Sequence, residues 1–333
     1  MDTPVQNSAV KKRRYLEFER PLEELDQQID RLKNLKVQGA VDVSSEIKTL
    51  EKKSEDLLTH IFANLNPYQI VQLSRHPDRP SCLDYLSMIF DEFIELHGDR
   101  NFMEDASIVG AMAKLQGQTV MVIGHQKGKS TQENQIRNFG MPRPEGYRKA
   151  LRLMKLAERW KLPIITFIDT PGAYPGIDAE ERGQAQAIAE NILTMTDLSV
   201  PIISVILGEG GSGGALAIAV SDRMLMLEFS IYSVISPEGC AAITWKDGSF
   251  ASKAAEELQV TSKDIVKAKV ADRAIQEPLG GAHRDPLLMA NRLKEALIKE
   301  LQSLKALKSE DLISKRYDRY RHLGAFEGAA SSP

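Results

Sequence analysis

Two small-residue turns are the parts of this sequence best suited to chemistry. One is Asp169-Thr170-Pro171-Gly172-Ala173-Tyr174-Pro175-Gly176, and the other is Gly208-Glu209-Gly210-Gly211-Ser212-Gly213-Gly214. Each follows an apolar run and precedes a helical pattern. The first N–H groups of a helix have no intrahelical acceptor and lie at the positive end of its dipole. Small residues let a substrate oxygen approach them, and paired donors of this kind form an oxyanion hole for charge developing on a carbonyl oxygen. Tight helix–strand packing accounts for Gly213 and Gly214 equally well at this level, so both readings stay open.

Other patterns point elsewhere and fall short. Gly124-His125-Gln126-Lys127-Gly128-Lys129-Ser130 approaches a phosphate-binding loop, but only three residues separate its glycines where four are needed. The lysines could still attract phosphate as point charges. Gly208 to Gly213 satisfies the dinucleotide fingerprint, with Glu228 twenty residues beyond Gly208. Only ten residues separate Gly213 from the next strand at Met224, and the glycine density exceeds what a pyrophosphate turn needs. A nicotinamide-dependent oxidoreductase is therefore the rival reading. Ser212 lies among glycines but has no evident base, and neither cysteine lies beside a histidine. Glu180 and Glu181 open a helix, where the dipole is reason enough for them.

The elements that must position these turns can be read from periodicity. Pro163 to Ile168 and Pro201 to Leu207 are continuous apolar strands, followed by helices from about Glu180 to Thr196 and from the glycines through Val220. Met224–Glu228, Tyr232–Ile235 and Ala271–Ile275 read as short strands, and Pro237 opens a helix. Strands apolar on both faces alternating with helices define an α/β core. Upstream, Ser107–Leu115 and Thr119–Ile123 form a hairpin about Gln116-Gly117-Gln118, and Leu83–Leu96 reads as a helix closed by Gly98. His125 to Gly146 has little periodicity, which marks a functional or partner-bound loop, and Tyr147–Trp160 is a strong helix. Two amphipathic stretches, Leu22–Leu32 and Ile47–Leu65, form an antiparallel hairpin broken around Gly39. The first eighteen or so residues carry no pattern and are expected to be mobile. Asp285–Leu307 is a long charged helix, and the tail after Ser309 is uninformative. The expected organisation is a tail and hairpin arm over 1–80, a core over 81–308 and a C-terminal tail over 309–333.

Composition removes several classes. Of 333 residues, 42% are hydrophobic and 27% charged, so the chain can build a core and is not chiefly disordered. With 43 Lys and Arg against 46 Asp and Glu, the net charge of -3 argues against a nucleic-acid backbone as main ligand. The run Lys11-Lys12-Arg13-Arg14 reads as a solvated tail. Two cysteines, Cys82 and Cys240, exclude a disulfide scaffold and a four-thiolate zinc site and fit a reducing compartment. No metal site is expected in this chain, since no histidine or cysteine pair has ligand spacing. No apolar run nears the roughly 18–20 residues that span a bilayer, and no signal-like segment opens the chain. A cytoplasmic protein without membrane or nucleic-acid partners is expected.

Several long strings carry a family resemblance. They are His125–Gly128 (HQKG), Asn138–Met154 (NFGMPRPEGYRKALRLM), Pro163–Gly176 (PIITFIDTPGAYPG), Ala179–Gln184 (AEERGQ), Gly208–Ala217 (GEGGSGGALA), Tyr232–Cys240 (YSVISPEGC) and Glu277–Arg284 (EPLGGAHR). Together they closely resemble the carboxyltransferase α subunit of the multisubunit acetyl-CoA carboxylase of bacteria and plastids, over about Tyr15 to Tyr320. The resemblance implies a crotonase-like ββα superhelix with an N-terminal helical hairpin. It implies transfer of a carboxyl group from carboxybiotin, held covalently on the biotin carboxyl carrier protein, to acetyl-CoA, giving malonyl-CoA for fatty acid biosynthesis. Partners implied are a homologous β subunit in an α₂β₂ assembly, which carries the family's zinc, the carrier protein, and a separate biotin carboxylase that uses ATP. The location implied is the cytoplasm, or the plastid stroma in a photosynthetic eukaryote. Carried over residue by residue, Gly213 and Gly214 are the catalytic pair, assigned to the ureido oxygen of biotin. Gly210, Gly211 and Ala215, with the Gly172-Ala173 turn, are implied to bind substrate. The ureido nitrogen is the implied base, which suits a site without a side-chain base.

Overall fold

Strands that are β-branched on both faces need cover on both sides, and this requirement sets the architecture around the two turns. The computed structural model describes residues 13–37 and 43–324. Most of the patternless N-terminus, the break around Gly39 and the last nine residues lie outside the described residues. Contacts divide the chain into two compact units, Met1–Leu65 and Asn66–Pro333.

The first unit is the hairpin of α1 (Arg20–Val37) and α2 (Ser44–Ala63). Leu22, Leu25, Ile29 and Ile47 are buried at the spacing that marks amphipathic helices. Phe18 meets Phe62 with ring centroids 6.3 Å apart, Ser54 donates to Asp26 at 3.1 Å, and Lys33 pairs with Glu51 at 2.8 Å. One partner's number falls as the other's rises, so the helices run antiparallel.

The second unit begins with α3 (Pro67–Ser74) and α4 (Cys82–Ile89), followed by β1 (Glu92–Glu95), β2 (Ile108–Leu115) and β3 (Gln118–His125). Next come α5 (Thr131–Ile136), α6 (Pro144–Arg159), β4 (Ile164–Thr170), α7 (Ile177–Glu181), α8 (Gln184–Asp197), β5 (Ile202–Gly211) and α9 (Ser212–Leu216). The chain continues through β6 (Arg223–Leu227), β7 (Ile231–Ser233), α10 (Pro237–Thr244), α11 (Ala251–Leu258) and α12 (Ser262–Lys267). It closes with β8 (Arg273–Ile275), α13 (Pro286–Lys305) and α14 (Ser309–Arg321).

One sheet runs β1-β2-β3-β4-β5-β6-β8, and β7 leaves it to pair with the end of β5. The β1–β2 and β2–β3 pairs are antiparallel, and every pair from β3 onward is parallel. Alternate residues feed two cores. Ile165, Phe167, Ile203 and Val205 pack with α4 and α13, while Ile164, Ile168, Ile202 and Ile206 pack with α6 and α8. The glycine turns therefore hang from the ends of the two most central strands.

Four elements differ from the sequence reading. The helix expected over Leu83–Leu96 ends at Ile89, because Phe90 turns extended and Glu92–Glu95 pair antiparallel with Ala111–Lys114. The helix expected over 180–196 is α7 and α8, parted at Gly183, whose φ is +83°. Residues 66–80 belong to the second unit and not to the arm. Asn66 and Gln69 form a reciprocal cap on α3, and buried Arg79 bonds Glu277 and the Leu207 carbonyl.

Finally, residues 309–321 of the expected tail are helical and anchored. The fully buried Arg316 guanidinium makes paired bonds to Asp222 at 2.9 Å and donates to the carbonyls of Met195, Leu198 and Val200. Removing one partner strands the other charge in the interior, which costs about 3–5 kcal/mol. Arg316→Met is expected to lower unfolding free energy by that amount in urea titration. A loss below about 1 kcal/mol would show that the anchor is dispensable.

Candidate active site

The register of β4 and β5 creates the site. They pair residue for residue from Ile164↔Ile202 to Ile168↔Ile206, then slip, so that Thr170 lies opposite Gly210. The slip sets the two turns side by side. Asp169 Oδ1 accepts the Glu209 N–H at 3.0 Å and bonds Lys127 Nζ at 2.7 Å, joining the strand ends. Thr170 Oγ1 donates to the Gly172 carbonyl at 2.9 Å and accepts the Gly172 N–H at 3.1 Å, which closes the first turn. Gly172 has a φ of +154°, a region open to glycine and closed to L side chains.

The second turn proves to be half strand. Pairing with β7 extends β5 through Gly211, and α9 starts at Ser212. A Cβ on Gly211 would lie 2.2 Å from the Pro171 oxygen, and one on Gly214 only 2.4 Å from the Ala173 nitrogen. At these two positions glycine is a packing requirement, backbone against backbone. Gly213 is different: a Cβ there meets nothing nearer than Ile188 at 4.0 Å. The cap residue Gly211 supplies no side chain to the first amides of α9.

A cavity of about 700 Å³ opens beside the turns. Gly172, Ala173, Ser212 and Gly213 line it, so three of the sequence candidates reach it directly. Gly210, Gly214 and Ala215 are buried and Gly211 is half-buried; none of the four lines the cavity. A Cβ on Gly210 would strike the Tyr232 ring at 2.7 Å. Their position supports the wall from behind.

The structure adds lining residues that the sequence did not single out. Arg75, at the end of α3, bonds Glu209 at 2.8 Å and Glu238 of α10 at 2.8 Å, and all three line the cavity. Arg75 is distant in sequence and carries no local signal, whereas Glu238 lies in a string already quoted for the resemblance. Burial works against the Arg75 charge, but the two carboxylates outweigh it and raise its pKa. Glu238 is held below its usual range, since the arginine bonds overcome its burial.

The phosphate-loop and dinucleotide patterns dissolve in three dimensions. Gly124 is inside β3 against Cys82, and Gly128 packs on α5. Lys127 is bound to Asp169, Lys129 to Asp84, and Arg137 to the Ala106 carbonyl, so all three cations are committed internally. Gly208–Gly211 are strand residues and not a turn around a pyrophosphate, and Glu228 accepts the Glu277 N–H at 3.0 Å. Among the described residues, no group of three or more His, Cys, Asp and Glu is placed to hold a metal ion. No described helix is long and apolar enough to cross a membrane.

The chain resembles transcarboxylase 12S (TM-score 0.53, 17% identity, 77% of this chain and 44% of that one). It also resembles a Pseudomonas malonate decarboxylase hetero-tetramer (TM-score 0.54, 16% identity, 65% and 88%). The chain spans less than half the length of the 12S chain. At such identities the likeness concerns fold alone, and it defines the class as a crotonase-like α/β fold. Residues 15–324 match the family described as acetyl co-enzyme A carboxylase carboxyltransferase-like, and the chain belongs to that family. It is 60% identical over 311 residues to the acetyl-coenzyme A carboxylase carboxyl transferase subunit alpha of Geobacter metallireducens, covering 93% of this chain and 98% of that one. The protein of the same name from Methylococcus capsulatus is 54% identical, with coverage of 96% and 99%.

Two predictions follow from the packing. Gly214→Ala forces a methyl into backbone and is expected to cost about 1–3 kcal/mol, whereas Gly213→Ala has room and should change denaturant stability little. Equal losses would contradict the close approach described. The second concerns His125, fully buried at the end of β3 with the Gly214 and Phe167 main chain beside its ring. Burial pushes its pKa down to about 3. The unfolded ring titrates near 6.5, so below that pH the unfolded chain binds a proton that the native chain refuses. Stability is then lost as pH falls from about 6.5 towards 3, at up to about 1.4 kcal/mol per unit. His125→Gln should flatten the pH dependence of urea unfolding in that range; an unchanged slope would place the titrating groups elsewhere.

Proposed function

We propose that this chain is the α half of the carboxyltransferase of an acetyl-CoA carboxylase. In this reading it helps move a carboxyl group from carboxybiotin, covalently attached to a partner carrier protein, to the methyl carbon of acetyl-CoA, yielding malonyl-CoA for fatty acid synthesis. The observation that carries it is the Gly213 main chain, uncapped at the start of α9 and lining the cavity beside Gly172 and Ala173.

Biotin, when bound, supplies the carboxyl group and is left with negative charge on its ureido oxygen. A flat polar ring suits this cavity, because the wall at Gly213 has open space where any larger residue would project. The Gly213 amide, on the cavity wall, is the donor we assign to that oxygen, and loss of one such donor typically costs on the order of 3 kcal/mol of barrier; Gly214, behind the wall, holds α9 against the first turn. Gly172 and Ala173 shape the opposite wall. Gly210, Gly211 and Ala215 act through spacing, holding α9 against the first turn. Glu209 and Glu238, two of the three carboxylates that line the cavity, are bound by Arg75 and are poorly placed to take a proton. That favours a mechanism in which the proton is taken by the substrates themselves.

A second anion, the enolate oxygen of acetyl-CoA, needs its own donors. We assign these to a homologous β subunit that completes the site in an α₂β₂ assembly and carries zinc. A separate biotin carboxylase would use ATP, in keeping with the internal commitment of Lys127 and Lys129. Val234 on the cavity wall is 77% exposed and Ile177, just past the first turn, 79% exposed. Exposed apolar residues at a cavity mouth suit a surface that another subunit covers.

Gly213→Leu tests the assignment. Mixed with the β subunit and supplied with carboxylated biotin and acetyl-CoA, this variant should still assemble, by gel filtration, while malonyl-CoA formation falls at least 100-fold. Normal turnover would remove Gly213 from the site, and normal turnover together with nicotinamide-nucleotide binding would favour the oxidoreductase.

A further inference from the structure

A chain of alternating charge runs from the cavity wall into the interior, and only its outer end has a place in the proposed reaction. It passes from Glu238 through Arg75 and Glu209 to Lys127 and Asp169. Lys127 Nζ is 2.7 Å from Asp169 Oδ1 and 3.6 Å from Glu209 Oε2, and its side chain is mostly buried. Asp169 and Glu209 are the residues from which the two turns depart, one at the end of β4 and one within the last turn of pairing of β5. Space for the lysine stem is built in: Gly140 has a φ of +74°, and a Cβ there would lie 2.7 Å from Lys127 Cγ. The lysine does not line the cavity, and its ammonium is occupied by carboxylates.

We propose that Lys127 is a positioning residue, whose ammonium, held between Asp169 and Glu209, fixes the offset between the two turns so that their main chains face one cavity. The inference rests on the reading that this cavity performs carboxyl transfer. Without the ammonium, two carboxylates face each other at the point where the turns begin, opposed by Arg75 on the far side of Glu209 and by the field of Arg79, which is itself bound to Glu277. Like charges in a site of reduced dielectric repel strongly, and the bond that the Glu209 N–H donates to Asp169 Oδ1 is the contact nearest that repulsion. Burial disfavours the lysine charge, yet the pKa of Lys127 is raised, because Asp169 and Glu209 outweigh the burial. The ammonium therefore stays charged throughout the neutral range.

The test uses Lys127→Met in the full chain, which keeps the stem and removes the charge, with Asp169→Asn as the reciprocal variant. Two measurements are made: kcat and KM for carboxyl transfer with the β subunit present, and hydrogen exchange of peptides covering 170–176 and 208–216. We expect kcat to fall at least 30-fold with KM for acetyl-CoA changed less than threefold, and both peptides to exchange at least tenfold faster while β2 and β3 keep their protection. Asp169→Asn should do the same, and the double variant should add little. A kcat within threefold of the parent, a loss confined to KM, or unchanged exchange in either turn would overturn the proposal. If Lys127→Met does not fold, Asp169→Asn decides by the same criteria. If the unaltered pair transfers no carboxyl group, the reaction assignment fails, and the exchange data still decide whether Lys127 positions the turns.

Discussion

Backbone against backbone is the contact on which this molecule turns. Gly211 and Gly214 lie so close to Pro171, Gly172 and Ala173 that a single added carbon at either would come within 2.5 Å of main-chain atoms. Main chain cannot rearrange as a side chain can, so the turns have one relative placement. The rest of the second unit serves that placement. The parallel pairing of β4 and β5 delivers both turns to the same edge, the slip after Ile168 brings them level, and β7 clamps the last residues of β5. Two cores, one on each side of the sheet, make the strand ends rigid.

A site made from amides has an electrostatic consequence. Amide dipoles do not titrate, so the donors keep their strength at any pH at which the protein is folded. The ionisable residues nearby are committed to each other: Arg75 to Glu209 and Glu238, Lys127 to Asp169. Charge at this site is arranged to hold geometry, and the reacting anions bring the charge on which the site acts.

Much of this was legible in the sequence. Strands at Pro163–Ile168 and Pro201–Leu207 stood out because residues apolar on both faces leave little alternative to a central parallel sheet, and the family resemblance supplied the superhelix. The glycine turns were visible as turns, but their division of labour was not. Gly211, Gly213 and Gly214 look alike in sequence, and only the position of Pro171–Ala173 separates the two that must be small to pack from the one that borders open space. The end of β5 is hidden from sequence because glycine reads as loop, whereas pairing with β7 makes it strand. Leu83–Leu96 misled for a related reason: an edge strand with one packed residue, Phe93, continues a helical spacing by chance. Arg75 could not be found at all, since an ion pair across 134 positions leaves no local trace.

The anchor at Arg316 bears on how the chain is made. Its guanidinium binds the three carbonyls of the segment that leads from α8 into β5, together with Asp222 just before β6. Until α14 has been synthesised, those carbonyls and that carboxylate lack their partner. Synthesis delivers the sealing guanidinium 116 positions after the Val200 carbonyl it binds, and for that interval the lead-in to the central strand stays open.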